Sequence, residues 1–173
     1  MRPAQPRDVD AIADVHARAW QASYGDLLPQ PMRESLTSAA VFTAWYAAVR
    51  QPPSAGHQVL VATARDLVTG FAATAPSAER DSLESDQELI ALEVDPVHRG
   101  SGHGSRLLNS AVDTARDAGA GRMLIWLPTV DTARLAFLTA AGFALDGAER
   151  VSEDDTGARW SERRAVTLLA AAP

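Results

Sequence analysis

The chain has 173 residues, of which 46% are hydrophobic, and a mean hydropathy of −0.11. This length and composition predict one domain over residues 1–173. The sequence has no run of the roughly 18 consecutive apolar residues that a membrane-spanning helix needs. The net charge of −6, with 16 arginines and no lysine, argues against a nucleic-acid-binding surface. The absence of cysteine excludes disulfides, thiolate metal sites and thiol nucleophiles, and we expect a cytoplasmic protein with no nucleic-acid or membrane partner.

The N-terminal half predicts two helices followed by a hairpin. Residues 8–24 place apolar side chains at helical spacing behind Asp8, a candidate N-cap. After the turn "GDLLPQP", a second helix is predicted from about Met32 to Arg50. The segment 57–76, "HQVLVATARDLVTGFAATAP", changes period and predicts two antiparallel strands.

The C-terminal half predicts a crossover of strand, helix and strand. These elements are "ELIALEV" (88–94), "GHGSRLLNSAVDTARDAG" (102–119) and the nearly all-apolar "RMLIWL" (122–127). A short helix follows in "DTARLAFLTAAGF", and two closing strands flank the loop "SEDDTGA" (152–158). The order of elements predicts a mixed α/β fold.

A glycine-rich loop joins the first strand of this crossover to its helix. Gly100, Gly102 and Gly104 allow a close backbone approach, and the helix N-terminus presents N–H groups to an anion such as a phosphate. Arg99 adds a fixed cation at the entrance of the loop. A Walker loop would need a lysine, and the dinucleotide fingerprint needs a different glycine spacing. Taken alone, such a loop is also compatible with an ordinary turn.

The pattern R-x-x-G-x-G, from Arg99 to Gly104, resembles the coenzyme A loop of the GNAT superfamily of acyl-CoA-dependent N-acetyltransferases. The likeness extends to the N-terminal segment "RPAQPRDVDAIADVHARAWQASYGDLLP" and to "VDTARLAFLTAAGF". It implies a mixed, mostly antiparallel sheet with a splayed central parallel strand pair and helices on both faces. It also implies acetyl-CoA as cosubstrate and direct transfer to an amine.

The resemblance assigns cofactor contacts along the chain. The implied cofactor-binding residues are Leu92, Val94, Arg99, Gly100, Ser101, Gly102, His103, Gly104, Ser105, Asp131 and Phe137. Two positions depart from the family pattern. Asp131 stands where an asparagine usually contacts the pantetheine arm, and Leu138 stands where a tyrosine usually protonates the leaving thiolate.

Two glutamates are candidates for the general base that an ammonium substrate needs. Glu88 opens the predicted strand and matches the acidic residue of the family branch, so we expect it to act, through a water. Strict alternation places Glu88 on the face of Leu92 and Glu93 on the other face. The family usually has a bulge in this strand, which shifts the alternation, so Glu93 is the second candidate. Backbone N–H groups near Val94 would steady the oxyanion.

The acceptor is less well specified. Trp20 and Tyr24 are four residues apart on one helical face, and they could either wall an acceptor pocket or belong to the core. The histidines have no spacing suited to a metal, and we expect none. We expect a small-molecule amine as acceptor and leave open whether the chain forms a homodimer. The alternative is a non-catalytic acyl-CoA-binding or sensing module of the same fold.

Overall fold

A computed structural model describes residues 1–153, 157 and 159–169, apart from the side chain of Asp26. The strands are β1 (Arg2–Pro3), β2 (Gln58–Ala64), β3 (Leu67–Pro76), β4 (Gln87–Val94), β5 (Arg122–Pro128), β6 (Ala144–Glu153) and β7 (Arg159–Leu168). The helices are α1 (Val9–Tyr24), α2 (Gln30–Ser35), α3 (Ala39–Arg50), α4 (His103–Asp117) and α5 (Thr132–Ala140). Most of the predicted loop "SEDDTGA" lies outside the described residues.

The strands form one seven-stranded sheet in the order β1-β2-β3-β4-β5-β7-β6. The pair β4 and β5 is parallel, and the other neighbours are antiparallel. β4 pairs with β5 at Gln87 and Glu88, and the two strands then separate. This confirms the predicted mixed sheet with a splayed central parallel pair.

A β-bulge interrupts β4 at Ile90. Ala73 of β3 pairs with Ala91, whereas the next residue of β3 pairs with Leu89, so Ile90 is left without a partner. Leu89 and Leu92 consequently both face α4, while Ala91 packs toward α1. The prediction from strict alternation is therefore wrong, and the expected bulge is confirmed: Glu88, next to Leu89, lies on the same face as Ala91 and Glu93.

Helices cover both faces of the sheet, as predicted. On one face, the apolar side of α4, including Leu107 and Leu108, packs with Leu138 of α5 against the central strands. On the other face, Ile12 and Val15 of α1 pack against Val61, Phe71 and their neighbours. The separation of β4 and β5 therefore lies between two layers of packed helices, which fix its width.

The single helix predicted from about Met32 to Arg50 is wrong. The chain instead forms the short α2 and then α3, because Ser38 adopts an extended conformation and caps α3, accepting a hydrogen bond from the backbone N–H of Val41. Within residues 1–153, 157 and 159–169, every helix is too short or too polar to span a membrane.

Candidate active site

A cleft of about 490 Å³ opens between the C-terminal end of β4, the glycine loop and the beginnings of α4 and α5. All the predicted cofactor-binding residues except Ser101 line it. Ser101 is exposed, and its carbonyl accepts a hydrogen bond from Arg106. The cleft also includes residues that the sequence did not indicate, and these are Ser23, His98, Ala133 and Arg134.

The glycine loop has the backbone conformation that an anion site requires. Gly100 and Gly102 have φ angles of 75° and 76°, in the region that L side chains rarely adopt, and Gly102 is the N-cap of α4. The space in which a Cβ would stand is open at both positions. The first turn of α4 therefore directs its N–H groups into a cleft with room for a phosphate.

Two arginines lie beside the glycine loop. Arg99 lines the cleft, and its guanidinium donates to the carbonyl of Ala19 at 3.2 Å and to the hydroxyl of Ser23 at 3.0 Å, and so joins the loop to α1. Arg106 also lies against the loop. Burial and the positive charge of Arg106 lower the pKa of His103, at the start of α4.

A buried ion pair crosses the inner end of the cleft. Glu93, at 2% exposure, accepts two hydrogen bonds from the guanidinium of Arg134, at 2.8 and 2.9 Å. The indole N–H of Trp20 donates to the same carboxylate at 3.1 Å. The pair therefore connects the end of β4 to α1 and to the beginning of α5.

Tyr24 and Asp131 form a second buried contact beside this pair. The phenol of Tyr24 donates to Asp131 at 2.7 Å, and the other oxygen of Asp131 caps α5 by accepting from the backbone N–H of Arg134. Burial, with the hydrogen bond to Asp131, raises the pKa of Tyr24 well above its usual range. Tyr24 is 4% exposed and packs against Trp160, as Trp20 does. Neither Trp20 nor Tyr24 lines the cleft described above.

Glu88 lies in a different environment, where β4 and β5 begin to separate. It is half-buried, and its carboxylate makes no hydrogen bond to any residue in the described part of the chain. Burial raises the pKa of Glu88, and the charges of Glu79 and Glu162 add to this rise, while the positive charge of Arg150 opposes it. The guanidinium of Arg150 lies 4.5 Å from the centre of the Trp126 ring.

Leu138 does not line the cleft. Its side chain is fully buried among the apolar residues under α4. Among the residues that the structure describes, no three histidine, aspartate or glutamate side chains are grouped to hold a metal ion.

The splayed parallel pair and the glycine-capped helix belong to a fold that solved N-acetyltransferases share. The PaiA N-acetyltransferase from Thermoplasma acidophilum, solved in complex with coenzyme A, has the same fold, with a TM-score of 0.75 over 96% of each chain at 16% identity. The ribosomal-protein-alanine N-acetyltransferase from Brucella melitensis gives a TM-score of 0.75 over 97% of this chain and 98% of its own, at 20% identity.

Sequence comparison identifies the family. The profile of the acetyltransferase (GNAT) family matches residues 11–143, and the chain therefore belongs to this family. It is 29% identical to the L-amino acid N-acyltransferase MnaT of Escherichia coli (strain K12) over 147 residues, 84% of this chain and 79% of the relative. It is 35% identical to the streptothricin acetyltransferase of Streptomyces lavendulae over 80 residues, 46% of this chain and 40% of the relative.

Proposed function

We propose that the protein transfers an acetyl group directly from acetyl-CoA to the amine of a small molecule, with Glu88 as the general base. The observation that carries this proposal is the position of Glu88: a half-buried carboxylate without a hydrogen-bond partner in the described part of the chain, where β4 and β5 separate. The names of the two relatives, an L-amino acid N-acyltransferase and a streptothricin acetyltransferase, support a small-molecule acceptor.

The residues of the cleft fit coenzyme A. The loop from Gly100 to Ser105, with Arg106 beside it, would hold the pyrophosphate on backbone N–H groups. Beyond Glu88, the edge of β4 that faces β5 has no strand partner among the residues that the structure describes, so its backbone groups near Leu92 and Val94 are available to the amides of the pantetheine arm. When bound there, acetyl-CoA supplies an acetyl thioester.

Glu88 would remove the proton that makes the amine unreactive. An alkylammonium with a pKa of about 10.4 must lose a proton before attack, which costs roughly 4 to 5 kcal/mol at pH 7. The raised pKa of Glu88 makes it a stronger base than an exposed glutamate. Glu88 takes one proton from the ammonium and passes it to water. The C–N bond then forms and the C–S bond breaks, and the nitrogen loses its second proton to the departing thiolate or to water. The departing thiolate, with a pKa of about 8.5, needs no strong acid.

Glu93 is the weaker candidate for this role. Arg134 and Trp20 already donate to its carboxylate, and these contacts would have to break before it could accept a proton from the substrate. We therefore propose that Glu93 positions the inner end of the cleft.

Substitution of Glu88 by glutamine tests the proposal. Release of free thiol from acetyl-CoA is measured against a panel of amines, an assay in which this cysteine-free protein contributes no background. We expect Glu88→Gln to lower kcat/KM by about 10²- to 10⁴-fold, with the Kd for acetyl-CoA unchanged. Glu149→Gln, an exposed glutamate on β6, is the control and should leave both quantities unchanged. Full activity of Glu88→Gln would show that Glu88 is not the base and that Glu93 or solvent takes the proton.

The buried Leu138 favours one alternative, a non-catalytic module that binds or senses acyl-CoA. The same measurements separate the two functions. Wild-type protein that binds acetyl-CoA but acetylates none of a wide panel of amines would support the module, whereas turnover of any amine at an enzymatic rate would exclude it.

A further inference from the structure

Arg150 is a cation beside Glu88 whose hydrogen-bonding capacity is largely unused. Its Nε donates to Glu162 at 2.7 Å, across the pairing of β6 with β7. The two terminal nitrogens of its guanidinium make no hydrogen bond to any residue in the described part of the chain. The side chain is 46% exposed, so these donors face solvent on the side of the sheet that carries Glu88.

We propose that Arg150 binds a carboxylate of the acceptor, so that the enzyme acts on amines with an adjacent carboxylate, the arrangement found in α-amino acids. This inference rests on the proposed function, because it places the acceptor amine at Glu88. A guanidinium presents parallel N–H groups that match the two oxygens of a carboxylate. The ring of Trp126 beneath the guanidinium and the bond to Glu162 fix its orientation before substrate arrives.

The hydrogen bonds of the glutamates near Glu88 indicate that the second charged group of the acceptor is a carboxylate and not another ammonium. Glu79 accepts from the indole N–H of Trp126 at 3.0 Å, and Glu162 accepts from Arg150. Of these three glutamates, Glu88 is the one whose carboxylate has no hydrogen-bond partner in the described part of the chain. It can therefore accept a hydrogen bond from one ammonium group. A second ammonium would have to displace one of these bonds, whereas a carboxylate finds donors already exposed on Arg150.

The positions of the two charges are compatible with one small acceptor. Glu88 pairs with Leu124 of β5, and the guanidinium of Arg150 lies over the ring of Trp126, two residues further along that strand. Paired residues of neighbouring strands and alternate residues of one strand point to the same face of a sheet, so Glu88 and Trp126 share a face. In an α-amino acid the amine and the carboxylate are attached to one carbon atom, and the proposal places the amine at Glu88 and the carboxylate at Arg150.

Paired acceptors test this proposal. A panel of L-amino acids is assayed beside the corresponding carboxamides, which keep the amine and remove the negative charge. The carboxamide lowers the pKa of the amine and provides more free base, so a preference for the acid cannot come from basicity. We expect wild type to favour the acids by about 10- to 100-fold in kcat/KM. Arg150→Gln should bring this ratio close to 1, because only the acids lose a contact.

Arg159→Gln is the matched control. Arg159 forms the same Nε bond to a cross-strand glutamate of the same hairpin, Glu153, at 2.7 Å, but it stacks on no described aromatic ring. The ratio of acid to carboxamide should be unchanged in this variant. Equal or better acetylation of the carboxamides by wild type would overturn the inference and leave the proposed function intact, as would a ratio that survives Arg150→Gln.

A failure of the proposed function would look different. In that case acetyl-CoA binds, but neither acids nor carboxamides accept the acetyl group. Calorimetric titration of the protein with the same pairs of acids and carboxamides, in the presence of coenzyme A, would then show whether Arg150 binds the carboxylate. Tighter binding of the acids by wild type, lost in Arg150→Gln, would support the carboxylate site, and equal binding of acids and carboxamides would overturn it.

Discussion

Two glutamates on one face of β4 differ in their chemistry because their surroundings differ. Glu93 is buried and bound by Arg134, so its negative charge serves to hold two elements together. Glu88 is half-buried without such a partner, so its charge is available to a substrate. The same residue type thus takes a structural role at one end of the strand and a proposed chemical role at the other.

The charges around Glu88 lead to a prediction for the pH dependence of catalysis. A base must be ionised, so kcat/KM falls as the pH drops through the pKa of Glu88, which burial raises above its ordinary value. Arg150→Gln removes the opposing positive charge and should move this acid limb to higher pH. Glu79→Gln removes a negative charge and should move it to lower pH, while its amide oxygen can still accept from Trp126.

The measurement is a profile of kcat/KM against pH for wild type and both variants, with a carboxamide acceptor, so that any contact of Arg150 with a carboxylate does not contribute. Arg159→Gln again serves as the control and should not move the limb. Shifts of both variants in the same direction, or an acid limb at the pKa of an exposed glutamate in all of them, would be inconsistent with Glu88 as the base.

At the scale of single elements, two glycines at the start of α4 differ in what they contribute: Gly102 adopts a special backbone conformation, and Gly104 lacks a side chain beside the cleft. Gly102 has a positive φ angle, so any side chain there is strained, although the space around it is open. Gly104 lies within the helix, and a Cβ there would stand 3.6 Å from Val94 and 3.8 Å from Phe137, at ordinary contact distances. The first glycine is therefore needed for the conformation of the loop, whereas a Cβ at the second would fit the fold and stand beside two side chains that line the cleft.

Two alanine substitutions test this separation. Gly102→Ala should lower the free energy of unfolding by about 1–2 kcal/mol and also weaken binding of acetyl-CoA, because the strained loop shifts its N–H groups. Gly104→Ala should leave stability unchanged or raise it by up to about 1 kcal/mol, as expected for alanine in a helix, while raising the Kd for acetyl-CoA at least about tenfold. Urea denaturation and calorimetry measure the two quantities. Equal effects of both substitutions on stability would show that the loop does not need the positive φ angle.

The ion pair of Glu93 and Arg134 also belongs to the scale of elements, because it joins β4 to α5. Arg134→Met leaves a buried carboxylate without its main partner and should cost roughly 3–5 kcal/mol in the free energy of unfolding. The double variant Glu93→Leu/Arg134→Met should recover most of this loss, since both charges are then absent. Urea denaturation measures both, and Arg116→Met, which breaks an exposed pair on α4, should change stability by less than about 1 kcal/mol. A double variant less stable than Arg134→Met would contradict this account.

At the scale of the whole molecule, the sequence predicts features that depend on neighbouring residues better than it predicts contacts between distant residues. The glycine loop is recognisable in the sequence because its signal is conformational and lies within six residues, from Arg99 to Gly104. The helical pattern from Met32 to Arg50 does not indicate the break between α2 and α3, which depends on the cap at Ser38. The contact of Glu93 with Arg134 joins residues 41 positions apart, and its formation depends on the path of the whole chain between them. No pattern within either segment indicates it.

The binding of acetyl-CoA is a property of the whole chain and gives the most direct test of the fold and cleft together. A ligand that binds only the native state at about 100 times its Kd adds roughly 2.7 kcal/mol of stability, and each kcal/mol corresponds to roughly 2–4 °C in Tm for a chain of this size. We therefore expect acetyl-CoA to raise Tm by roughly 5–10 °C in differential scanning calorimetry. ATP and NADH, which share phosphate groups but lack the pantetheine arm, should raise it by less. Equal shifts with all three would indicate a general phosphate site, because the loop would then bind the anion without the unpaired edge of β4 contributing.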